Sequence, residues 1–308
     1  MHLLIFGLGY TTSRLAVRLR GDGWRVTATR RRAEGDALAF ESAEVAAAIG
    51  TATHILSSIP PVGDADPVIT RYGTLLAAAP ARWLGYLSST GVYGDAGGGW
   101  VDEASPVGGG RRNARAAADL AWQALRGDVR VFRLPGIYGP GRSAIDRVRD
   151  GSARRIDAPG HRFSRIHVDD IVDCLIAAFD RGGAGVVNLA DREPATNAAV
   201  IEHACALLGV APPPLEPLVT ADMSPISRGF YTESRQVAAG KMLRELGIRL
   251  TYPDYRAGLR ACVTGRLPSA TASPVMASTA PQPLVSVQRY ASNNVDSVIA
   301  TTGMTTPV

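Results

Sequence analysis

The chain opens with five apolar-patterned residues, His2–Phe6, that run straight into Gly7-Leu8-Gly9-Tyr10-Thr11-Thr12 and then into a helical stretch from about Thr11 to Leu19. A strand, a glycine turn and a helix start in that order leave few folds open. The first glycine permits the tight turn, and the second lets backbone amides approach an anionic group resting on the helix N-terminus. That arrangement is the phosphate cradle of a dinucleotide site, and its position directly after an N-terminal strand gives the short G-x-G its weight. Thr12 stands at the third glycine position of G-x-G-x-x-G, which predicts slightly wider helix–strand packing.

The remaining segments agree. Apolar strands are predicted at Trp24–Thr29, Asp36–Phe40, Thr53–Ser57, Trp83–Ser88, Val129–Leu134 and Val186–Leu189. They alternate with helices over Glu41–Ile49, Pro67–Ala79, Ala114–Leu125, Ile166–Asp180, Asn197–Leu208 and Arg235–Leu246. Such alternation, with strands reading as continuous apolar runs, predicts an α/β fold: a Rossmann-type doubly wound parallel sheet covered on both faces. Residues 1–266 are read as this domain, with a smaller C-terminal substrate lobe interleaved mainly at 140–165 and 190–266. Residues 267–308 turn rich in Ser, Thr, Ala and Pro and are read as a disordered tail.

At the predicted end of the second strand stands Thr29-Arg30-Arg31-Arg32, where an NAD enzyme carries an acid for the ribose 2′-hydroxyl. Guanidinium groups pair with a 2′-phosphate instead. Arg30 and Arg31 therefore favour NADP over NAD.

The formal charge of +5 suits an anionic small molecule. The arginines are scattered, without the aromatic-interleaved basic run of a nucleic-acid surface. Three distant cysteines, none in a C-x-x-C, give neither a disulfide framework nor a metal site. The N-terminus lacks a signal-peptide pattern, and no apolar run approaches the ~18 residues of a membrane span. The expected setting is cytoplasmic, with no nucleic-acid or membrane partner and a homodimer as the candidate assembly.

Four later segments carry a resemblance. Leu87-Ser88-Ser89-Thr90-Gly91-Val92-Tyr93-Gly94-Asp95, Arg133-Leu134-Pro135-Gly136-Ile137-Tyr138-Gly139-Pro140-Gly141, Arg165-Ile166-His167-Val168-Asp169-Asp170 and Val187-Asn188-Leu189-Ala190-Asp191 follow the glycine loop in order. Together they resemble the NAD-dependent epimerase/dehydratase family of extended short-chain dehydrogenases/reductases, over about residues 1–262. The Ser57-Ser58-Ile59-Pro60-Pro61 turn is similar to that of an atypical branch.

The resemblance implies a nicotinamide cofactor held by Gly7, Gly9, Tyr10, Thr11, Thr12, Ser57, Ser58 and Pro135, with hydride transfer to or from a sugar nucleotide or similar hydroxyl or carbonyl substrate. It places Ser89 at the active-site Ser/Thr. The family's Y-x-x-x-K pair is replaced: Arg111 stands at the tyrosine position and Arg115 at the lysine position, where it can bind ribose hydroxyls or phosphate. Arg111 cannot shuttle a proton, because a guanidinium does not deprotonate. Tyr93 and Tyr138 are the candidate substitutes, while His167 is read as structural. Arg142, Arg162, Arg228 and Arg256 are candidates for an anionic substrate group, and Glu103 lines the same loop by resemblance. Two readings stay open: an NADP-dependent enzyme with a non-standard acid/base pair, or an NADP-binding sensor or scaffold without turnover.

Overall fold

The computed structural model describes residues 1–264 apart from Arg112. The tail expected at 267–308 lies outside the described residues. Strands β1 (His2–Phe6), β2 (Arg25–Arg30), β3 (Leu38–Ala39), β4 (His54–Ser57) and β5 (Trp83–Ser89), with Val129–Leu134 and Gly185–Asn188, form one seven-stranded sheet. Its order is Gly185–Asn188, Val129–Leu134, β5, β4, β1, β2, β3, and every neighbouring pair is parallel.

Side-chain alternation in β1 shows how the layers form. Leu3 and Ile5 enter one core with Leu15 and Leu19 of α1 (Tyr10–Gly21), whereas Leu4 and Phe6 enter the other. The second core holds Val45 and Ile49 of α2 (Ala43–Thr51), Val68 and Leu76 of α3 (Pro67–Ala77), and Trp122 of α4 (Asn113–Leu125). A strand buried on both faces has no polar side to present, hence its unbroken apolar run. Asp66 fastens this side. It caps α3 by accepting the amides of Val68 (2.9 Å) and Ile69 (3.0 Å), and it accepts Trp122 Nε1 at 2.9 Å. Trp122 in turn stacks on Tyr86, ring centroids 5.1 Å apart.

Three further helices, α5 (Ala144–Arg149), α6 (Val168–Ala177) and α7 (Asn197–Leu208), follow in the chain. Helix α6 covers the first core. Helices α5 and α7 share a separate core with Tyr138 and with Tyr255, Leu259 and Cys262 of the last described helix, Tyr255–Thr264. All three cysteines are free and buried. No helix among the described residues is long and apolar enough to cross a membrane.

Two segments differ from the sequence expectation. The helix expected over Arg235–Leu246 begins only at Gly240, because Gln236–Val237 forms a short strand against Trp100–Val101 and the Val237 amide donates to Ser164 Oγ at 2.9 Å. Arg165–His167, expected as helix from Ile166, is a strand beside Gly136–Tyr138. His167 then caps α6, its Nδ1 accepting the Asp169 amide at 3.2 Å. Burial, reinforced by Arg14, holds its imidazole down to about 3, so it is neutral and structural.

Candidate functional site

The sheet order reverses between β1 and β4, and the C-terminal ends of parallel strands at such a switch point are where ligands bind in open α/β sheets. A cavity of about 890 Å³ opens there. It runs from Gly9–Thr12 and Ser58 past Ser89 and Pro135 to the α5–α7 side of the molecule.

The glycine loop is built from both neighbouring strands. The Gly7 amide donates to Thr29 Oγ1 at 3.2 Å and the Leu8 amide to Thr29 O at 3.0 Å, which pins the loop to β2. Gly7 has φ +88°, and a Cβ there would come within 2.8 Å of Ile59 Cγ1 and 3.0 Å of Ser58 Oγ. Protein packing alone therefore demands this glycine. Thr12, at the third glycine position, is buried. Its hydroxyl accepts the Gly9 amide (2.8 Å) and donates to Gly7 O (2.7 Å), stapling the turn. Ser58 Oγ donates to the same carbonyl at 2.7 Å.

Gly9 differs. A Cβ there would meet no atom within 4 Å, although the residue lines the cavity. The protein's own packing does not require its missing side chain. A dinucleotide pyrophosphate would need that open space, which lies before the N-terminus of α1, whose first amides have no carbonyl one turn back. The residues present thus fit a dinucleotide pyrophosphate.

Tyr10, Thr11, Ser58, Ser89, Pro135 and Arg115 all line this cavity with Gly9 and Thr12. Tyr10 donates to Pro140 O at 3.0 Å and lies between the Arg14 and Arg142 guanidiniums, 5.4 and 5.6 Å from its ring centroid. Ser89 Oγ accepts the Gly91 amide at 3.1 Å, ending β5 and starting a 3₁₀ turn over Thr90–Tyr93. Its own proton is left to point elsewhere. Arg115 lies near the buried Tyr86 phenol, where burial drives the pKa up to about 12 against the arginine's opposing charge.

Other expected residues lie off the cavity. Tyr93 is buried, its hydroxyl donating to Asn188 Oδ1 at 2.7 Å and its ring under the Arg133 guanidinium, so its contacts are those of a core residue. The Tyr138 hydroxyl donates to Asp254 O at 3.3 Å, and burial lifts its pKa far above a phenol's usual value. Ser57 is fully buried in β4, its Oγ without a partner among the described residues, because it is Ser58 that turns out of the sheet. Arg30 bonds Glu34 at 2.7 Å, and Arg31 is exposed; neither reaches the cavity wall. Arg228 is tied to the carbonyls of Leu218 and Ala221, and Arg256 to Glu193. Glu103 accepts the Asn188 amide at 2.8 Å.

Eight arginines line the cavity against two carboxylates, Asp222 and Glu233. Arg142 and Arg162, expected as contacts for an anionic group, line it; Arg147, Arg154, Arg165 and Arg235 line it as well without having been expected there. Arg154 is engaged by Glu216 and Arg235 by Glu233. Arg165 spends one nitrogen on the carbonyls of Phe163 (2.7 Å) and Ala195 (3.0 Å). Arg142 and Arg147 have no carboxylate or carbonyl partner among the described residues. Arg165 stands inside a motif already singled out, but its side-chain direction had no sequence signal. The chain's one lysine, Lys241, donates to Val186 O at 2.7 Å, so no lysine stands at the cavity.

No family model matches the chain. A conserved protein of unknown function from Silicibacter pomeroyi DSS is 39% identical, with a TM-score of 0.76 over 86% of this chain and 98% of that one. The human epimerase family protein SDR39U1, solved with NADPH, is 21% identical, with a TM-score of 0.70 over 86% of this chain and 100% of that one. The 3-diazoavenalumate denitrifying reductase of a Streptomyces species is 31% identical over 173 residues, which span 52% of this chain and about half (55%) of that reductase. The chain therefore belongs to one family with the Silicibacter pomeroyi protein, and its fold is that of the NAD-dependent epimerase/dehydratase type of extended short-chain dehydrogenases.

Proposed function

We propose that the protein is an NADP-dependent oxidoreductase of the epimerase/dehydratase type, acting on an anionic hydroxyl or carbonyl compound of the sugar-nucleotide class or similar. The observation that carries this reading is the continuity of one cavity from the open face of Gly9 to Ser89 and on to the arginine-lined end. Gly9 with the first amides of α1 would hold the pyrophosphate, Ser58 and Pro135 would flank the nucleotide, and Arg30 with Arg31 would meet a 2′-phosphate. Arg115 would bind ribose hydroxyls or phosphate. When bound, the nicotinamide supplies or accepts the hydride. Ser89 Oγ orients the substrate oxygen by a hydrogen bond, and Arg142 and Arg162 hold the anionic group in the lobe built from α5, α7 and the Tyr255–Thr264 helix.

Thermal-shift titrations with NADP and NAD, followed by a sugar-nucleotide panel read by nicotinamide absorbance, test the reading. Stabilisation by NADP in preference to NAD is expected, with turnover lowered about 100- to 1000-fold in Ser89→Ala, the scale for losing one oriented hydrogen bond in a transition state. Absence of binding at millimolar dinucleotide, or full turnover in Ser89→Ala, would count against the cofactor site or the serine's role respectively.

A further inference from the structure

The segment Gly229–Glu233 occupies the space beside Arg111, the residue that stands where the family carries its proton-shuttling tyrosine. The Arg111 amide donates to Glu233 Oε1 at 2.6 Å, its guanidinium packs directly on Gly229, and the Phe230 ring lies 5.8 Å from it. Between Phe230 and Glu233 the chain presents Tyr231. Among the tyrosines of the described residues, only Tyr10 and Tyr231 line the cavity, and the Tyr10 hydroxyl is committed to Pro140. No group among the described residues hydrogen-bonds the Tyr231 hydroxyl. Its ring is held edge-on by Phe163 (5.3 Å, 88°) and at a tilt by His161 (5.3 Å, 42°), a fixed mount for a free phenol.

We propose that Tyr231, brought in from the C-terminal lobe, is the proton donor and acceptor of the reaction, in place of the tyrosine that the α4 region lacks. This rests on the nicotinamide reading above. When a substrate carbonyl is reduced at carbon, an electron pair is left on its oxygen. The Tyr231 O–H bond breaks, its proton passes to that oxygen, and the phenolate keeps the bonding pair until water in the open cleft returns a proton. In the oxidative direction each transfer reverses.

The surroundings suit a transient phenolate. Burial raises the phenol's pKa, and the guanidiniums of Arg147 on α5 and Arg165 on the strand beside Gly136–Tyr138 pull it back. Two cations beside a phenol perform the electrostatic task for which a lysine on the same helix face would serve elsewhere. The other titratable groups nearby are His161, against the ring, and Glu233, two residues on and already engaged by Arg111 and Arg235.

The test compares the full-length wild type with Tyr231→Phe. Their ultraviolet difference titration isolates one phenol, read alone, with oxidised NADP, and with adenosine 2′,5′-bisphosphate, which lacks the nicotinamide. We expect oxidised NADP to lower that phenol's midpoint by about one pH unit, since a cation within contact range shifts a titration by that much or more. The bisphosphate should not move it, and Arg147→Gln should raise it. On any panel substrate that wild type turns over, Tyr231→Phe should lower kcat at least about 100-fold with the cofactor Kd unchanged. A phenol unmoved by bound NADP, or full kcat in Tyr231→Phe, overturns the assignment and leaves the cofactor reading standing. Failure of NADP to bind overturns both.

Discussion

The Arg133 guanidinium meets the Asp119 carboxylate through two hydrogen bonds, Nε to Oδ2 at 3.0 Å and Nη2 to Oδ1 at 2.7 Å, with both side chains buried. Ser88 Oγ donates to Oδ2 at 2.5 Å and Gln123 Nε2 to Oδ1 at 2.7 Å, so the carboxylate's acceptor positions are filled. The group ties α4 to the Val129–Leu134 strand and fixes the end of β5 next to Ser89. Asp119→Ala strands a buried guanidinium and should cost about 3–5 kcal/mol in urea unfolding. A cost below about 1 kcal/mol would mean that water, not Asp119, satisfies Arg133.

The two glycines of the loop should separate fold from ligand. Gly7→Ala forces a side chain into positive φ and against Ser58 and Ile59, so a loss of about 2 kcal/mol or more is expected. Gly9 has φ −107° and open space before it, so Gly9→Ala should change stability by less than about 0.5 kcal/mol. Dinucleotide affinity should nonetheless fall about tenfold or more, equivalent to about 1.4 kcal/mol. Unchanged affinity in Gly9→Ala, measured by calorimetry, would remove the pyrophosphate from this position.

Two buried acids should make the protein less stable as pH rises through neutrality. Burial pushes Asp191 up to about 8, against the Glu193 amide and Arg165, and Asp170 up to about 7, against the amides of Thr251 and Tyr252. Unfolded aspartates ionise near 4. Between those limits the folded chain holds more protons than the unfolded one, so stability declines with rising pH. His54 and His167, held by burial to about 4 and 3, act in the opposite sense, but their effect has levelled off above about 6.5. From about pH 6.5 to 8 chemical denaturation should show a loss of about 2 kcal/mol, and Asp191→Asn should remove more than half of it. A flat profile in wild type would show both acids ionised in the folded state.

Arg31 is exposed just past β2, whereas Arg30 is engaged by Glu34. If these guanidiniums receive a 2′-phosphate, Arg31→Ala should weaken NADP about tenfold, the scale of one charge-assisted hydrogen bond, and leave NAD unchanged. Parallel losses for both dinucleotides would move the 2′-phosphate elsewhere.

The sheet was legible because its strands are buried on both faces, and the predicted Val129–Leu134 strand and Asn197–Leu208 helix have the observed bounds. The 235–246 segment misled because Val237 is apolar at helical spacing, yet its neighbours' amides pair with the Trp100–Val101 strand across more than a hundred residues. In the site, the backbone-determined part was readable: Gly7, Gly9, Thr12 and Ser58 sit where strand ends must turn. What a side chain does at a distance was not. Tyr93 and Tyr138 carry motif positions but bury their hydroxyls, and Tyr231 belongs to no motif. Its segment is anchored across the fold, Glu233 accepting the Arg111 amide.

The cations lining the cleft are all guanidiniums. Even Arg165, drawn down to about 10 by burial, stays charged near neutrality. The pocket's own positive field is thus constant across the physiological range. Any acid-dependence in how tightly a small anion is captured should accordingly track the protonation of the anion itself, and a phosphate monoester and a carboxylate would reveal themselves by different midpoints.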